Sequence, residues 1–358
     1  MKRDDDDILL GRRDALKLGL GAAAALSALA IGRGAGAAAA QPPASKAGAA
    51  ALTGPGHVVE VHKPGMRGRL FPYPDAAREA VHKAVTTLAG EADVGRAFGK
   101  FVSPEDRVGI KINVLGGRLV STTKEVADAI VEGVRAAGVQ DANIMIFDQF
   151  GGNMRGARYV WQEKPGQLRV INHDVLGYED ALTTCEGGGK GKLAKTLTWC
   201  TAVINAPVLK DHDTAGVTCA MKNMVFGCVE RPPMMHQQIQ TALPHFYALD
   251  AIRGRVRLTI CDGSFCLYDG GPKHNPDALV AHDRVYASTD PVAMDAIALE
   301  VIEKYRADNG LRTLAQVRRP ATYLALAQEI GLGIADRSRI RLEQVELPPF
   351  TPAAVSEE

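Results

Sequence analysis

From residue 57 onward, short runs of apolar and β-branched residues alternate with longer stretches in which apolar residues return every three or four positions. The short runs predict strands at 58–62, 108–113, 143–147, 168–171, 202–205 and 256–261. The longer stretches predict helices over 74–89, 122–138, 215–226 and 291–305, the second stopped by Gly138. Strands separated by helices of this length point to βαβ units. The expected fold is therefore α/β, a mostly parallel sheet with helices on both faces and room for a small second lobe. Residues 108–112, 144–147, 203–205 and 258–261 are the expected central strands, since parallel sheets are covered on both faces and their strands read as short continuous apolar runs.

The first forty residues carry a different pattern. Gly11-Arg12-Arg13-Asp14-Ala15-Leu16-Lys17 looks like a twin-arginine export signal, followed by a weakly apolar Gly/Ala-rich stretch over 18–31 and small residues Ala38-Ala39-Ala40 before Gln41. The stretch is too short and too interrupted for a permanent membrane span. The expected organisation is a signal peptide over 1–40, a linker over 41–56, one α/β domain over 57–346 and a tail over 347–358. The expected location is the periplasm, with the twin-arginine export machinery as a partner.

At 358 residues the chain is long enough to bury a substantial core. Lys plus Arg number 42 against 41 for Asp plus Glu, and residues 41–358 balance at 36 each. Neutrality and an aromatic content of 5% disfavour nucleic-acid binding through a basic face or a stacking platform.

In open α/β sheets, ligands sit beyond the carboxyl ends of the strands. The polar residues expected there are Lys111, Asn113, Asp148, Lys210, His212 and Asp262. Lys111 and Asn113, and likewise Lys210 and His212, are two apart, so each pair shares one face if the strand geometry extends that far, although from Lys210 on the chain reads as a polar turn. The densest stretch runs from Val203 to Gly227. On a helix starting there, Thr218 pairs with Lys222 and Cys219 with Asn223 at a spacing of four. Free N–H groups at that helix start, with Lys210 and Lys222, suit a carboxylate or phosphate. His212 and Lys222 are the candidate catalytic groups. Lys111, Asn113, Asp148, Lys210, Thr218, Asn223 and Asp262 are the candidates for holding a cofactor or ligand.

The segments VGIKIN (108–113), STTKEVADAIVEGVRAAGV (121–139), NIMIFD (143–148), INAPVLKDHDTAGVTCAMKNMVFG (204–227), DGGP (269–272) and STDPVAMDAIA (288–298) resemble the domain-of-unknown-function family 362. That resemblance covers roughly 57–310 and implies an exported α/β protein associated with iron–sulfur clusters. The chain departs from the cluster pattern in having no Cys-x-x-Cys. Lys210-Asp211-His212, followed by Ala215-Gly216 and Lys222, is also similar in spacing to the metal-binding stretch of nickel-pincer lactate racemases, which implies a metal-ligand position for His212.

The six cysteines, Cys185, Cys200, Cys219, Cys228, Cys261 and Cys266, match no zinc or ferredoxin spacing. Disulfides, buried free thiols and a cluster drawn from Cys219, Cys228, Cys261 and Cys266 all remain open; Cys219 joins His212 as a candidate metal ligand. Met234-Met235-His236 suits copper, although a Met pair is more often core filler. Asp290 before Pro291 reads as a helix cap, while Asp295 is expected to face the site. The glycines over 187–191 lack the P-loop spacing, and the common exported-hydrolase motifs are absent. Two functions stand: a cofactor-dependent redox or isomerase enzyme, and a non-catalytic carrier for an anionic ligand or a metal. Iron–sulfur or another metal cofactor is open.

Overall fold

The computed structural model describes residues 54–230 and 232–352, so the expected signal peptide and most of the expected linker lie outside the described residues. In chain order the strands are β1 (His57–His62), β2 (Val108–Lys111), β3 (Ile144–Asp148), β4 (Arg169–Asn172), β5 (Thr183–Thr184), β6 (Lys190–Gly191), β7 (Ala202–Asn205), β8 (Val208–His212), β9 (Gly216–Thr218), β10 (Val256–Leu267), β11 (Leu279–Ser288) and β12 (Arg341–Glu346). The helices that matter for the site are α1 (Pro74–Ala89), α2 (Val94–Gly99), α3 (Lys124–Ala136), α4 (Ala220–Phe226), α5 (Ile239–Tyr247), α6 (Pro291–Asp308) and α7 (Tyr323–Glu329).

The main sheet runs β12-β1-β11-β10-β7-β2-β3-β4, and β8 and β9 are attached to it through β10. β10, β7, β2, β3 and β4 are all parallel, so the four expected central strands lie side by side. Along β3, Ile144 and Ile146 enter the core on one face, with α1 and α3, while Met145 and Phe147 enter the other, with α4, α5 and α6. That alternation between two apolar faces explains why the parallel strands read as unbroken hydrophobic runs. Among the described residues, β5 and β6 form a separate two-stranded ribbon, and no helix is long and apolar enough to cross a membrane.

Four elements differ from the sequence expectation. Residues 215–218 do not begin a helix: Gly216–Thr218 pairs antiparallel with β8, with Lys210 opposite Thr218 and His212 opposite Gly216. Gly216 has φ +81, and a Cβ there would meet Arg319 O at 2.8 Å, so the turn needs glycine. β8 itself escapes an apolar pattern because Lys210, Asp211 and His212 are buried within it. β10 does not stop at Cys261 but runs on to Leu267. From Thr259 to Leu267 it pairs antiparallel with β11, an element the chain's alternation does not announce.

Candidate functional site

β2 and β3 end together, and there Lys111 Nζ donates to Asp148 Oδ1 at 2.7 Å and to Asn223 Oδ1 at 3.2 Å. Asp148 is further held by the amides of Val114 and Gln149, at 2.7 and 2.8 Å. Asn223, on α4, also accepts from Asn113 Nδ2 at 3.1 Å and donates to Asn205 Oδ1 at 2.8 Å. Asn113 Oδ1 in turn accepts from Lys210 Nζ at 2.9 Å. This hydrogen-bonded chain fixes the ends of β2, β3, β7 and β8 relative to α4. Gly227 caps α4 and is required by close approach: a Cβ there would lie 2.5 Å from Lys111 Nζ.

Above the network lies a cavity of about 270 Å³, lined by Lys111, Asn113, Asp148, His212, Thr218, Lys222 and Asn223. Seven of the expected site residues therefore meet in one place. Lys210 is fully buried just behind the wall and reaches it through Asn113. The rest of the lining is Leu115, Gln149, Phe150, Asp213, Phe226, Gly227, His236 and Pro272. His236 stacks on His212 with ring centroids 5.7 Å apart, and packs edge-on against Phe226. No spacing in the sequence announces His236, because tertiary packing brings its segment over α4; Pro272 comes from the DGGP segment.

Among the described residues, two polar groups at this cavity lack hydrogen-bond partners. Thr218 Oγ1 is buried with no hydrogen-bond partner. Lys222 is 6% exposed, so most of its side chain is covered where it lines the cavity. Among the described residues its Nζ makes no hydrogen bond or ion pair, only a contact with the Phe226 ring at 4.9 Å. Burial pulls the Lys222 ammonium down to about 8, with Asp213 opposing and Lys111 adding to the shift. Burial, reinforced by the charge of Lys222, brings Lys210 down to about 7.

His212 is held neutral, its pKa driven far below the usual range by burial and then by Lys222. The amides of Thr214 and Ala215 donate to its Nδ1 at 3.1 and 3.2 Å. With both hydrogens filling that side, the ring proton sits on Nε2. Asp213 Oδ1, 2.9 Å from the same Nδ1, belongs to a largely exposed side chain that water screens. A metal-bound imidazole needs the opposite tautomer, with the remote nitrogen donating to a carboxylate or carbonyl. His212 therefore fits a hydrogen-bond donor and not a metal ligand.

Cys219 does not line the cavity; its sulfur lies 3.6 Å from Cys261 Sγ in the core. Six free cysteines are present, and among the described residues no three His, Cys, Asp or Glu side chains are gathered to hold a metal ion. Met235 packs in the core. The residues do not fit a metal centre at the two expected positions.

Two expected site carboxylates serve the scaffold instead. Asp262 Oδ2 accepts from the amide and hydroxyl of Thr123 at 2.8 and 2.7 Å, and Oδ1 from the Ser264 amide, so it fastens the start of α3 and does not line the cavity. Asp295 accepts from the amides of Ala220 and Met221, at 2.6 and 3.2 Å, and from Tyr323 Oη at 2.9 Å. It occupies the N-terminus of α4, where an anionic ligand was expected, and burial raises it to about 7. Asp290 caps α6 as expected, through the amides of Val292 and Ala293.

Asp211, between the two site residues of β8, faces the other way. Its Oδ1 accepts from the Gly271 amide at 2.6 Å and its Oδ2 pairs with Arg319 at 2.7 Å. Arg319 also pairs with Asp269, which Arg306 holds too.

No curated protein matches this chain. Among solved structures, the lactate racemase apoprotein from Thermoanaerobacterium thermosaccharolyticum is similar to it, with 12% identity and a TM-score of 0.32. The match covers 64% of this chain and 53% of the racemase, so this chain spans about half the length of that protein. Residues 108–300, more than half of the chain and the part that builds the cavity, match the family described as "Domain of unknown function (DUF362)", and the chain belongs to that family.

Proposed function

We propose that the cavity at the strand ends binds a small carboxylate, in a protein that the twin-arginine pathway delivers to the periplasm. One observation carries the ligand reading: Lys222, only 6% exposed, lines the cavity and its Nζ meets no hydrogen-bond acceptor among the described residues, on the same wall as Thr218, whose hydroxyl has no partner there either. A buried ammonium that makes no hydrogen bond is costly, and the Asp213 carboxylate only partly offsets this; an anion in the cavity supplies both the hydrogen bond and the charge. The Nε2–H of His212 adds a neutral donor on the same wall. At about 270 Å³ the space suits a small molecule, and Leu115, Phe150 and Phe226 offer it an apolar side. The export reading rests on Arg12 and Arg13 in their sequence setting.

Thermal-shift and calorimetric titration with acetate, propionate, pyruvate and inorganic phosphate test the ligand reading, with propionamide as the uncharged control. Stabilisation by the carboxylates and not by propionamide, lost in Lys222→Met, is the expected result. Equal responses to propionate and propionamide, or none to any carboxylate, would overturn it.

A further inference from the structure

We propose that Lys222 is a nucleophile whose amine condenses with the carbonyl group of a small oxo acid held in the cavity, forming an imine. The inference rests on the carboxylate reading and adds a covalent step to it.

The argument starts from what the other lysines do. Lys111 is committed to Asp148 and Asn223, and Lys210 to Asn113. Lys222 alone of the three meets no hydrogen-bond acceptor among the described residues, yet it lines the cavity. A lysine becomes nucleophilic when burial and neighbouring cations favour its neutral form. Burial and the nearby charge of Lys111 do so here, against the pull of Asp213, and the ammonium comes down to about 8. A carboxylate on the ligand is still met by the Nε2–H of His212 and the hydroxyl of Thr218, neither of which needs Lys222 to be charged.

The step balances within the site. The Lys222 lone pair attacks the carbonyl carbon, and the carbonyl oxygen takes up a proton to give a carbinolamine. Loss of that oxygen as water, with the nitrogen lone pair forming the C=N bond, leaves the imine. One amine and one oxo acid become one imine and one water; no oxidant or reductant is consumed.

The test is reductive trapping of the full chain with pyruvate and sodium cyanoborohydride, read by intact mass and peptide mapping, with thermal shift by pyruvate measured in parallel. One reduced adduct on Lys222 is expected, formed at least about tenfold faster at pH 7 than on solvent-facing lysines. It saturates with pyruvate, is suppressed by propionate, and is not formed with acetone, which lacks the carboxylate. Lys222→Arg abolishes it, and Thr218→Val, which keeps the amine, slows it. Pyruvate stabilisation without an adduct at Lys222 overturns the imine and leaves the carboxylate reading standing. An adduct at Lys210 or scattered over the surface overturns the assignment to Lys222. The absence of both stabilisation and adduct overturns both readings.

Discussion

Nζ of Lys111 and Oδ1 of Asp148 lie 2.7 Å apart at the carboxyl ends of two adjacent parallel strands, and both side chains are buried. Each neutralises the other, so the positive charge left at the cavity belongs to Lys210 and Lys222. Removing one partner of a buried pair leaves an uncompensated charge and costs about 3–5 kcal/mol. Lys111→Met and Asp148→Leu are each expected to lose that much in urea denaturation, and the double variant less than their sum. A strictly additive double variant would show that the pair is not coupled.

The stability of the protein is expected to rise with pH above neutrality. Lys210 and Lys222 have folded-state values of about 7 and about 8, below the ordinary 10.5. The native state therefore binds fewer protons than the unfolded chain in that window, and the penalty present below pH 7 is relieved as pH climbs towards 10. Lys222→Met should be more stable than the parent at pH 7, by about 2–3 kcal/mol, and should flatten the rise. Urea denaturation at pH 7 and 9.5 measures both.

Carboxylate affinity and imine trapping should respond to pH in opposite senses. An anion favours the charged form of Lys222, so affinity for propionate holds below pH 7 and weakens as pH rises through about 8. The amine needed for trapping appears over the same interval. Besides Lys222, the groups that titrate or carry charge at the cavity are Lys111, Asp148, His212, Asp213 and His236, with Lys210 behind the wall. Calorimetry with propionate and trapping rates with saturating pyruvate, from pH 6 to 9.5, give the two curves. Parallel curves would contradict the assignment.

Asp295 and Asp262 should separate on mutation. Each satisfies buried amides, so Asp295→Ala and Asp262→Ala are both expected to cost about 1–3 kcal/mol. Asp295 also orients α4 and with it Lys222 and Asn223, so its loss should weaken propionate binding at a temperature where the variant is still folded. Asp262→Ala should leave binding intact, and a loss of binding there would return Asp262 to the site.

Export should depend on the paired guanidinium groups: Arg12→Lys/Arg13→Lys is expected to leave the protein in the cytoplasm. Fractionation of cells producing each form checks this, and normal periplasmic levels of the variant would contradict it.

The parallel core was legible because Ile110, Ile146, Ile204 and Ile260 belong to strands with apolar neighbours on both faces. Site residues on strand ends, such as Lys111 and Asp148, followed from that frame. β8 was not legible, because Lys210, Asp211 and His212 look like a polar turn and are buried only through tertiary partners. The direction of a carboxylate was equally hidden. Asp262 and Asp295 resemble site residues in sequence, and what decides their role is which amides the fold places within 3.2 Å of them.

Asp211 has a bearing on how the rim of the cavity is held. It ties the strand carrying Lys210 and His212 to Gly271 and Arg319, and Arg319 is tied to Asp269, so the loop that brings Pro272 to the cavity is clamped to the same strand. The Pro272 loop is thereby coupled to His212 in the wall and to Lys210 behind it. Leu115 and Phe150, which also line the cavity, are 45% and 44% exposed, and no ion pair holds their side chains among the described residues. The part of the lining most open to solvent is thus apolar, while the part carried by β8 and the Pro272 loop is braced by ion pairs.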